Sequence, residues 1–217
     1  MVTTLFVDLM SQPCRALAIF VKMNAMPCNI QTVALRKGEN KTPEFLSMNP
    51  LGKVPVLKDE EFCLTESIAI LRYLDTKYGS SCLYPKSIRA RAKVDEFLEW
   101  QHTNTRMFAA KVFLGEVLFP GAINIEQAVN DMNAMLDSVE SMFLKDKNFI
   151  AGETVSVADH FAVCELLQTT ISGRDLFKDR PKLQSWLDRV RKDSNPHFDD
   201  VHSVLYSVRR RYIKNKL

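Results

Sequence analysis

The run Asn49-Pro50-Leu51-Gly52-Lys53-Val54-Pro55-Val56-Leu57 constrains the fold more than any other stretch of the chain. Val54-Pro55 opens what reads as a strand, and a proline there has no N–H to give a sheet ladder. A proline tolerated at that place predicts a cis bond, the form taken by about 5–6% of X–Pro bonds in folded proteins. The Val54 N–H and C=O then face away from the sheet, where the extended backbone of a peptide can pair with them. After the acidic turn Lys58-Asp59-Glu60-Glu61, Thr65-Glu66-Ser67 heads an apolar helix. The free N–H groups and positive dipole of that helix end suit a carboxylate. Taken singly, the first piece is equally a turn into an edge strand, and the second an ordinary helix start. In this order, one hairpin apart, they suit a small peptide with a free carboxylate, and point to glutathione.

The 217 residues are enough for one large domain or two small ones. Hydrophobic content of 46% and charged content of 25% are those of an ordinary soluble protein. No uncharged stretch reaches the length of a membrane span, and Asp8 interrupts the one candidate for a signal-peptide core. Cys14, Cys28, Cys63, Cys82 and Cys164 are odd in number, scattered and never spaced Cys-x-x-Cys. That disfavours a disulfide framework or a zinc site and favours a reducing, cytoplasmic compartment. The net charge of +3 is unevenly placed, because Arg209, Arg210, Arg211, Lys214 and Lys216 follow the last acid. The body is near neutral, so nothing demands a nucleic-acid partner. The tail reads as a solvated helix end, with a nuclear signal or a membrane-surface contact as alternatives. The final Asn-Lys-Leu is only weakly similar to a peroxisomal address.

Strand and helix patterns alternate through the first eighty residues. Thr4–Val7 reads as a buried strand, and Ser11 as the N-cap of a helix with Pro13 in its first turn. Ile30–Leu35, Val54–Leu57 and Phe62–Leu64 read as strands. Thr42-Pro43 starts a short helix, and a longer one carrying Ile68, Leu71 and Leu74 stops near Gly79. The order βαβαββα implies a mixed sheet with helices packed on it. After Tyr84-Pro85 strands disappear: residues 88–118 read as one long helix broken by Pro120-Gly121. Val129, Met132, Leu136, Val139 and Phe143 form an apolar helical stripe, with its methionine in the core. Ser156 and Asp159 form a capping box, and further helices start at Pro181 and Pro196. The expected division is a first domain at 1–80, a linker at 81–87 and an all-helical domain at 88–217.

These segments together resemble the cytosolic glutathione transferases over essentially the full length. That implies a thioredoxin-like α/β N-terminal domain followed by an all-α C-terminal domain. The theta class is the most similar, through Leu9-Met-Ser11-Gln-Pro13-Cys14-Arg15-Ala16, Leu64-Thr-Glu66-Ser67, Arg89-Ala-Arg-Ala-Lys-Val-Asp95-Glu96 and Trp100-Gln-His102-Thr. The resemblance implies that Ser11 is the catalytic residue, donating a hydrogen bond to the glutathione thiolate. It also implies that Val54 pairs by its backbone with the cysteinyl residue. Glu66 would take the γ-glutamyl ammonium, Ser67 its carboxylate, and Lys53 the glycyl carboxylate. Asn40 stands where theta-class proteins often have histidine; it keeps a hydrogen bond but adds no charge, which implies modest glutathione affinity. Arg106 aligns with an active-site arginine that contacts glutathione or a leaving anion, a surface ion pair being the alternative. Met107, Phe108, Phe113 and Leu114 are the candidates for the electrophile pocket, with core packing as their other explanation.

A free thiol has a pKa near 8.5, so few thiols are ionised at neutral pH. Lowering it by about two units requires about 2.7 kcal/mol of selective stabilisation, within reach of a hydroxyl hydrogen bond and a helix N-terminus. Ser11 sits where both meet, and its lone pairs are expected to accept from the first turn while its proton points at sulfur. The chemistry implied is conjugation of glutathione, as co-substrate, to small hydrophobic electrophiles such as alkyl halides or epoxides, together with hydroperoxide reduction. No metal or redox cofactor is called for. Cys14, three residues after Ser11, leaves a thioredoxin-like motif without its attacking thiol, which disfavours disulfide exchange. A ligand carrier or interaction module on the same fold is the rival class, and the isomerase type lacks its Ser-Ser-Cys motif here. The family implies a homodimer without integral membrane association. Mammalian theta proteins extend further at the C-terminus, so a more open second-substrate pocket is expected here.

Overall fold

The computed structural model describes residues 3–79 and 83–216. The expected boundary at residues 80–81, Cys82 and Leu217 lie outside the described residues. The chain divides into two compact units, Met1–Ser81 and Cys82–Leu217.

Unit 1 follows the order βαβαββα: β1 (Thr3–Val7), α1 (Gln12–Met23), β2 (Cys28–Thr32), α2 (Pro43–Met48), β3 (Val56–Asp59), β4 (Phe62–Leu64) and α3 (Ser67–Tyr78). The four strands form one sheet in the order β2-β1-β3-β4. β1 runs parallel to β2, while β3 is antiparallel to both β1 and β4. Along β1 the pleat sends Leu5 and Val7 into complete burial, with Phe6 on the other face. α1 buries an unbroken run from Pro13 to Val21, mostly small and aliphatic residues that a sheet can cover closely. A second cluster joins Val33, Phe45 and Val56 with Phe6, Met48 and Val54, and Phe6 meets Phe45 edge to face at 6.4 Å. It anchors α2 and the start of β3 to the sheet.

Two strands begin elsewhere than the residue pattern suggests. β2 covers 28–32 rather than 30–35, because the chain past Val33 turns away and the Leu35 N–H is captured by Asp8 Oδ2 at 3.1 Å. β3 starts at Val56, and Val54 stands ahead of the ladder.

Unit 2 is helical: α4 (Ile88–Trp100), α5 (Thr105–Phe113), α6 (Ile125–Ser138), α7 (Val157–Thr169), α8 (Pro181–Ser194) and α9 (His197–Lys214). The expected single helix over 88–118 is two helices and a wide turn. The chain breaks at Asn104 (φ −119°, ψ −91°), whose side chain donates to the Trp100 carbonyl at 2.8 Å. His102, Thr103 and Asn104 are weak helix formers, and the Thr103 and Asn104 side chains compete for backbone groups. Met132, Leu136, Val139 and Phe143 are buried and Val129 is half-buried, so the methionine of this stripe is core.

α7 is buried at every residue and carries the organising contact of the unit. Asp159, fully buried, accepts from Ser156 N (2.9 Å), Ser156 Oγ (2.9 Å), Ile150 N (2.8 Å) and Trp186 Nε1 (2.8 Å). The capping box is therefore more than a local helix start, since it also ties the preceding loop and α8 to α7. The next residue of the same helix is His160, also fully buried, with Nε2 at 2.8 Å from Ser194 Oγ.

Two outcomes follow for stability. Asp159→Ala leaves the Ile150 and Trp186 donors buried without an acceptor and costs at least ~3 kcal/mol in urea denaturation, whereas Ser156→Ala costs about 1 kcal/mol. Burial holds the His160 imidazole down at about 3, against an ordinary value near 6.5 in the unfolded chain. The unfolded chain thus binds the extra proton between these values, and stability falls as the pH drops below about 6.5. This one residue contributes a slope of up to about 1.4 kcal/mol per pH unit, and His160→Gln removes it from the pH series of denaturation curves.

Candidate active site

The register places every unit 1 candidate at one edge of the sheet. Val7 stands opposite Thr32, Phe6 opposite Val56, and Leu57 opposite Leu64. The C-terminal ends of β1, β2 and β4 therefore meet the N-terminal end of β3 at the same edge. From it run the segments that carry Ser11, Asn40, Lys53-Val54 and Glu66-Ser67. In sheets of this kind ligands bind beyond the strand ends, where loops diverge.

Ser11 is the N-cap of α1, yet its side chain makes no capping bond. The expected capping of the first turn by the hydroxyl is thus corrected: no backbone N–H of that turn engages it, and it meets the Cys14 thiol instead. Its backbone N–H donates to Asp8 O at 2.8 Å, and its carbonyl accepts from Arg15 N at 3.1 Å. Two charged side chains shape this loop. Asp8 accepts from Met10 N at 2.8 Å and from Leu35 N at 3.1 Å, binding the β1–α1 loop to the segment after β2. Arg15 is wholly buried, and its Nη1 donates to Leu9 O (2.9 Å) and Met10 O (3.2 Å). The Ser11 loop is therefore held from below by a guanidinium and from the side by a carboxylate. Burial pushes the Cys14 thiol up to about 11, against a hydrogen bond with the Ser11 side chain that pulls it down. Cys14 stays a thiol and packs as a small apolar residue.

The segment before β3 is tied in the same way. Asn40 Nδ2 donates to Gly52 O at 2.7 Å, and the buried Asn49 donates to Lys53 O at 2.7 Å while accepting from Leu51 N at 3.1 Å. Gly52 has φ +60°, and a Cβ there would stand 3.0 Å from the Asn40 carbonyl oxygen, so only glycine lets the two segments approach. Lys53 is exposed and Val54 half-buried. The Val54–Pro55 bond is cis, as the sequence pattern predicts. Glu66 is exposed with φ +67° and ψ 113°, a strained conformation for a residue with a Cβ, and Ser67 begins α3. The first N–H groups of α3 are the unpaired donors of a helix end.

In unit 2, Arg106 Nη1 pairs with Glu165 Oε1 at 2.6 Å; the Arg106 side chain is 42% exposed and that of Glu165 1%. The pair is anchored on α7, which makes Arg106 a fixed cation and not half of a loose surface pair. On α5 the buried stripe is Thr105, Ala109 and Val112. Met107 is exposed, and Phe108, Phe113 and Leu114 are half-buried, so the four pocket candidates keep surface outside the core. Sequence reasoning did not single out Asp8, Arg15, Asn49 or Glu165 as positioning groups. A charged residue inside an otherwise apolar helical run, as at Arg15 and Glu165, is the signal that could have found two of them.

Two family models match the chain: "Glutathione S-transferase, N-terminal domain" over residues 1–76 and "Glutathione S-transferase, C-terminal domain" over residues 102–193. The chain is 42% identical to glutathione S-transferase theta-1 of Bos taurus over 216 residues, 94% of this chain and 89% of that protein. Among solved structures it is similar to human glutathione S-transferase T1-1 in its apo form. That match has a TM-score of 0.90 and 38% identity, covering 96% of this chain and 91% of the other. It is also similar to a human theta-class glutathione transferase in complex with the glutathione conjugate of 1-menaphthyl sulfate, with a TM-score of 0.91 and 40% identity, covering 100% and 92%.

Asp8→Ala removes the acceptor of two backbone N–H groups and lowers unfolding free energy by about 2–4 kcal/mol. Asp8→Asn, which retains one acceptor oxygen, loses about half as much in the same denaturation measurement.

Proposed function

Since the chain belongs to the glutathione S-transferase family, we propose that it binds glutathione along the loop-bearing edge of unit 1 and ionises its thiol beside Ser11. The observation that carries the reading is the convergence at that edge of a backbone segment outside the ladder, Val54, with an open helix N-terminus at Ser67. In this reading the Val54 backbone pairs with the cysteinyl residue. Glu66 takes the γ-glutamyl ammonium and Ser67 the adjoining carboxylate, while Lys53 neutralises the glycyl end. Asn40 acts mainly through Gly52, to which it is already bonded. Arg106, held by Glu165, supplies the cation for glutathione or a leaving anion. Met107, Phe108, Phe113 and Leu114 offer apolar surface to the electrophile.

The thiolate would attack small electrophiles such as alkyl halides and epoxides, and would reduce hydroperoxides. Acceleration comes from a larger thiolate fraction and from proximity. The Ser11 hydroxyl makes no backbone capping bond and meets the Cys14 thiol, which can donate to a hydroxyl lone pair and leave the Ser11 proton to donate to a sulfur anion. The human theta-class structure holding the glutathione conjugate of 1-menaphthyl sulfate supports glutathione conjugation as the reaction. Glutathione is a co-substrate here, residues 1–80 the glutathione-binding domain, 81–87 the linker and 88–217 the domain that receives the electrophile. A cytosolic homodimer completes the reading.

The test is the ultraviolet thiolate band of bound glutathione, titrated with pH on the protein and on Ser11→Ala. The bound thiol of the parent titrates about two units below free glutathione, and the variant loses that shift and about 100-fold in turnover while still binding glutathione. Binding with an unshifted thiol in the parent would instead make the protein a glutathione carrier.

A further inference from the structure

One end of unit 2 gathers cations and bulky apolar side chains that the proposed reaction does not use. From Ser203 to Lys216 there is no acidic residue, and Arg209, Arg210, Arg211, Lys214 and Lys216 fall within that stretch. Arg210, Arg211, Lys214 and Lys216 are exposed, and among the described residues none of them has a carboxylate partner. Arg211 reaches only Ser207 Oγ, at 3.1 Å, and Lys216 lies over the Tyr212 ring at 4.9 Å.

Tertiary contacts bring this end of α9 against the segment between α5 and α6. Tyr212 Oη donates to Glu116 O at 2.6 Å, and Ile213 Cγ1 lies 3.6 Å from where a Cβ on Gly173 would stand. Pro120, Gly121, Arg174, Lys178 and Lys216 line one cleft there of about 720 Å³. Between Glu116 and Pro120, which line it, the chain leaves Leu118 52% and Phe119 58% exposed, and Phe119 is the most exposed phenylalanine among the described residues. Of the two acids that line the cleft, Glu116 is already paired with Arg174, which leaves Asp175.

Cations by themselves fit any polyanion. Bulky apolar side chains kept in water beside them fit a narrower partner, one offering phosphates above a hydrocarbon boundary. We propose that this end of unit 2 docks on an anionic phospholipid surface, with Arg210, Arg211, Lys214 and Lys216 at the headgroups and Leu118 and Phe119 at the acyl boundary. A nucleic acid would use the cations and leave Leu118 without a role. The association is peripheral, since no helix of the described residues is long and apolar enough to cross a membrane. It places the transferase beside lipid-dissolved electrophiles without altering its reaction.

The experiment is co-sedimentation of the whole protein with vesicles of phosphatidylcholine alone or with about 30 mol% phosphatidylserine, in low and physiological salt. Binding requires phosphatidylserine and weakens with salt. Arg210→Glu with Arg211→Glu lowers it at least ~25-fold, from the worth of each juxtamembrane cation. Leu118→Ser with Phe119→Ser lowers it about tenfold. Both double variants keep the parent's transferase rate on a water-soluble substrate, which shows that they fold. Equal binding to both vesicle types, or no loss on changing Leu118 and Phe119, overturns the proposal. So does binding to duplex DNA in place of vesicles, which would assign the cations to a nucleic acid.

Discussion

The carboxylate of Asp8 is the contact on which the arrangement at the sheet edge depends. It spans two loops that leave neighbouring parallel strands, accepting one N–H from each. Parallel strands end side by side but send their chains in unrelated directions, so something beyond the ladder must bind those chains together. An ionised acceptor does this more strongly than a neutral one. Once Met10 and Leu35 share Asp8, the Ser11 loop and the segment leading to Asn40 have a common origin. Asn40 then extends the chain of contacts to Gly52, and Asn49 to Lys53. The residues assigned to glutathione thus hang on a framework of backbone contacts made by Asp8, Asn40 and Asn49.

Unit 2 applies the same device in its interior. Asp159 gathers donors from its own helix start, from the preceding loop and from Trp186 on α8. Burial pushes its carboxyl up while four hydrogen bonds pull it down. Glu165, two turns along the same helix, is equally dry and meets Arg106. A buried charge with satisfied partners adds little net stability over an apolar pair but is very costly to mispair, so it fixes geometry. That is why a helix buried on all sides can carry acids at both of these positions.

How far the chain was legible differs by element. The order βαβαββα and the helical second half followed from hydrophobic period and from proline and glycine punctuation, which are local signals. The cis Val54–Pro55 bond and the Ser156–Asp159 box were also visible, since each is written within four residues. The break at Gln101–Asn104 was missed because the apolar pattern runs through it, and only the competition of polar side chains for backbone groups ends α4. Ser11 was legible as an N-cap position but not in the state of its hydroxyl. That depends on where the loop is pulled by Asp8 and Arg15.

By itself the sequence determined which residue types stand at strand ends and helix starts, because propensity, capping and turn chemistry act over a few residues. It therefore carried the fold class, the family and the Ser11, Val54 and Ser67 positions. Tertiary structure alone decided that Arg106 is bound to Glu165, that Arg15 lies dry beneath the Ser11 loop, and that Tyr212 brings a basic helix end to the Glu116 segment. The partners in the first and last of these contacts are 59 and 96 residues apart. Whether a charge is buried, paired or left to solvent depends on what the rest of the chain packs against it, and no local pattern encodes that.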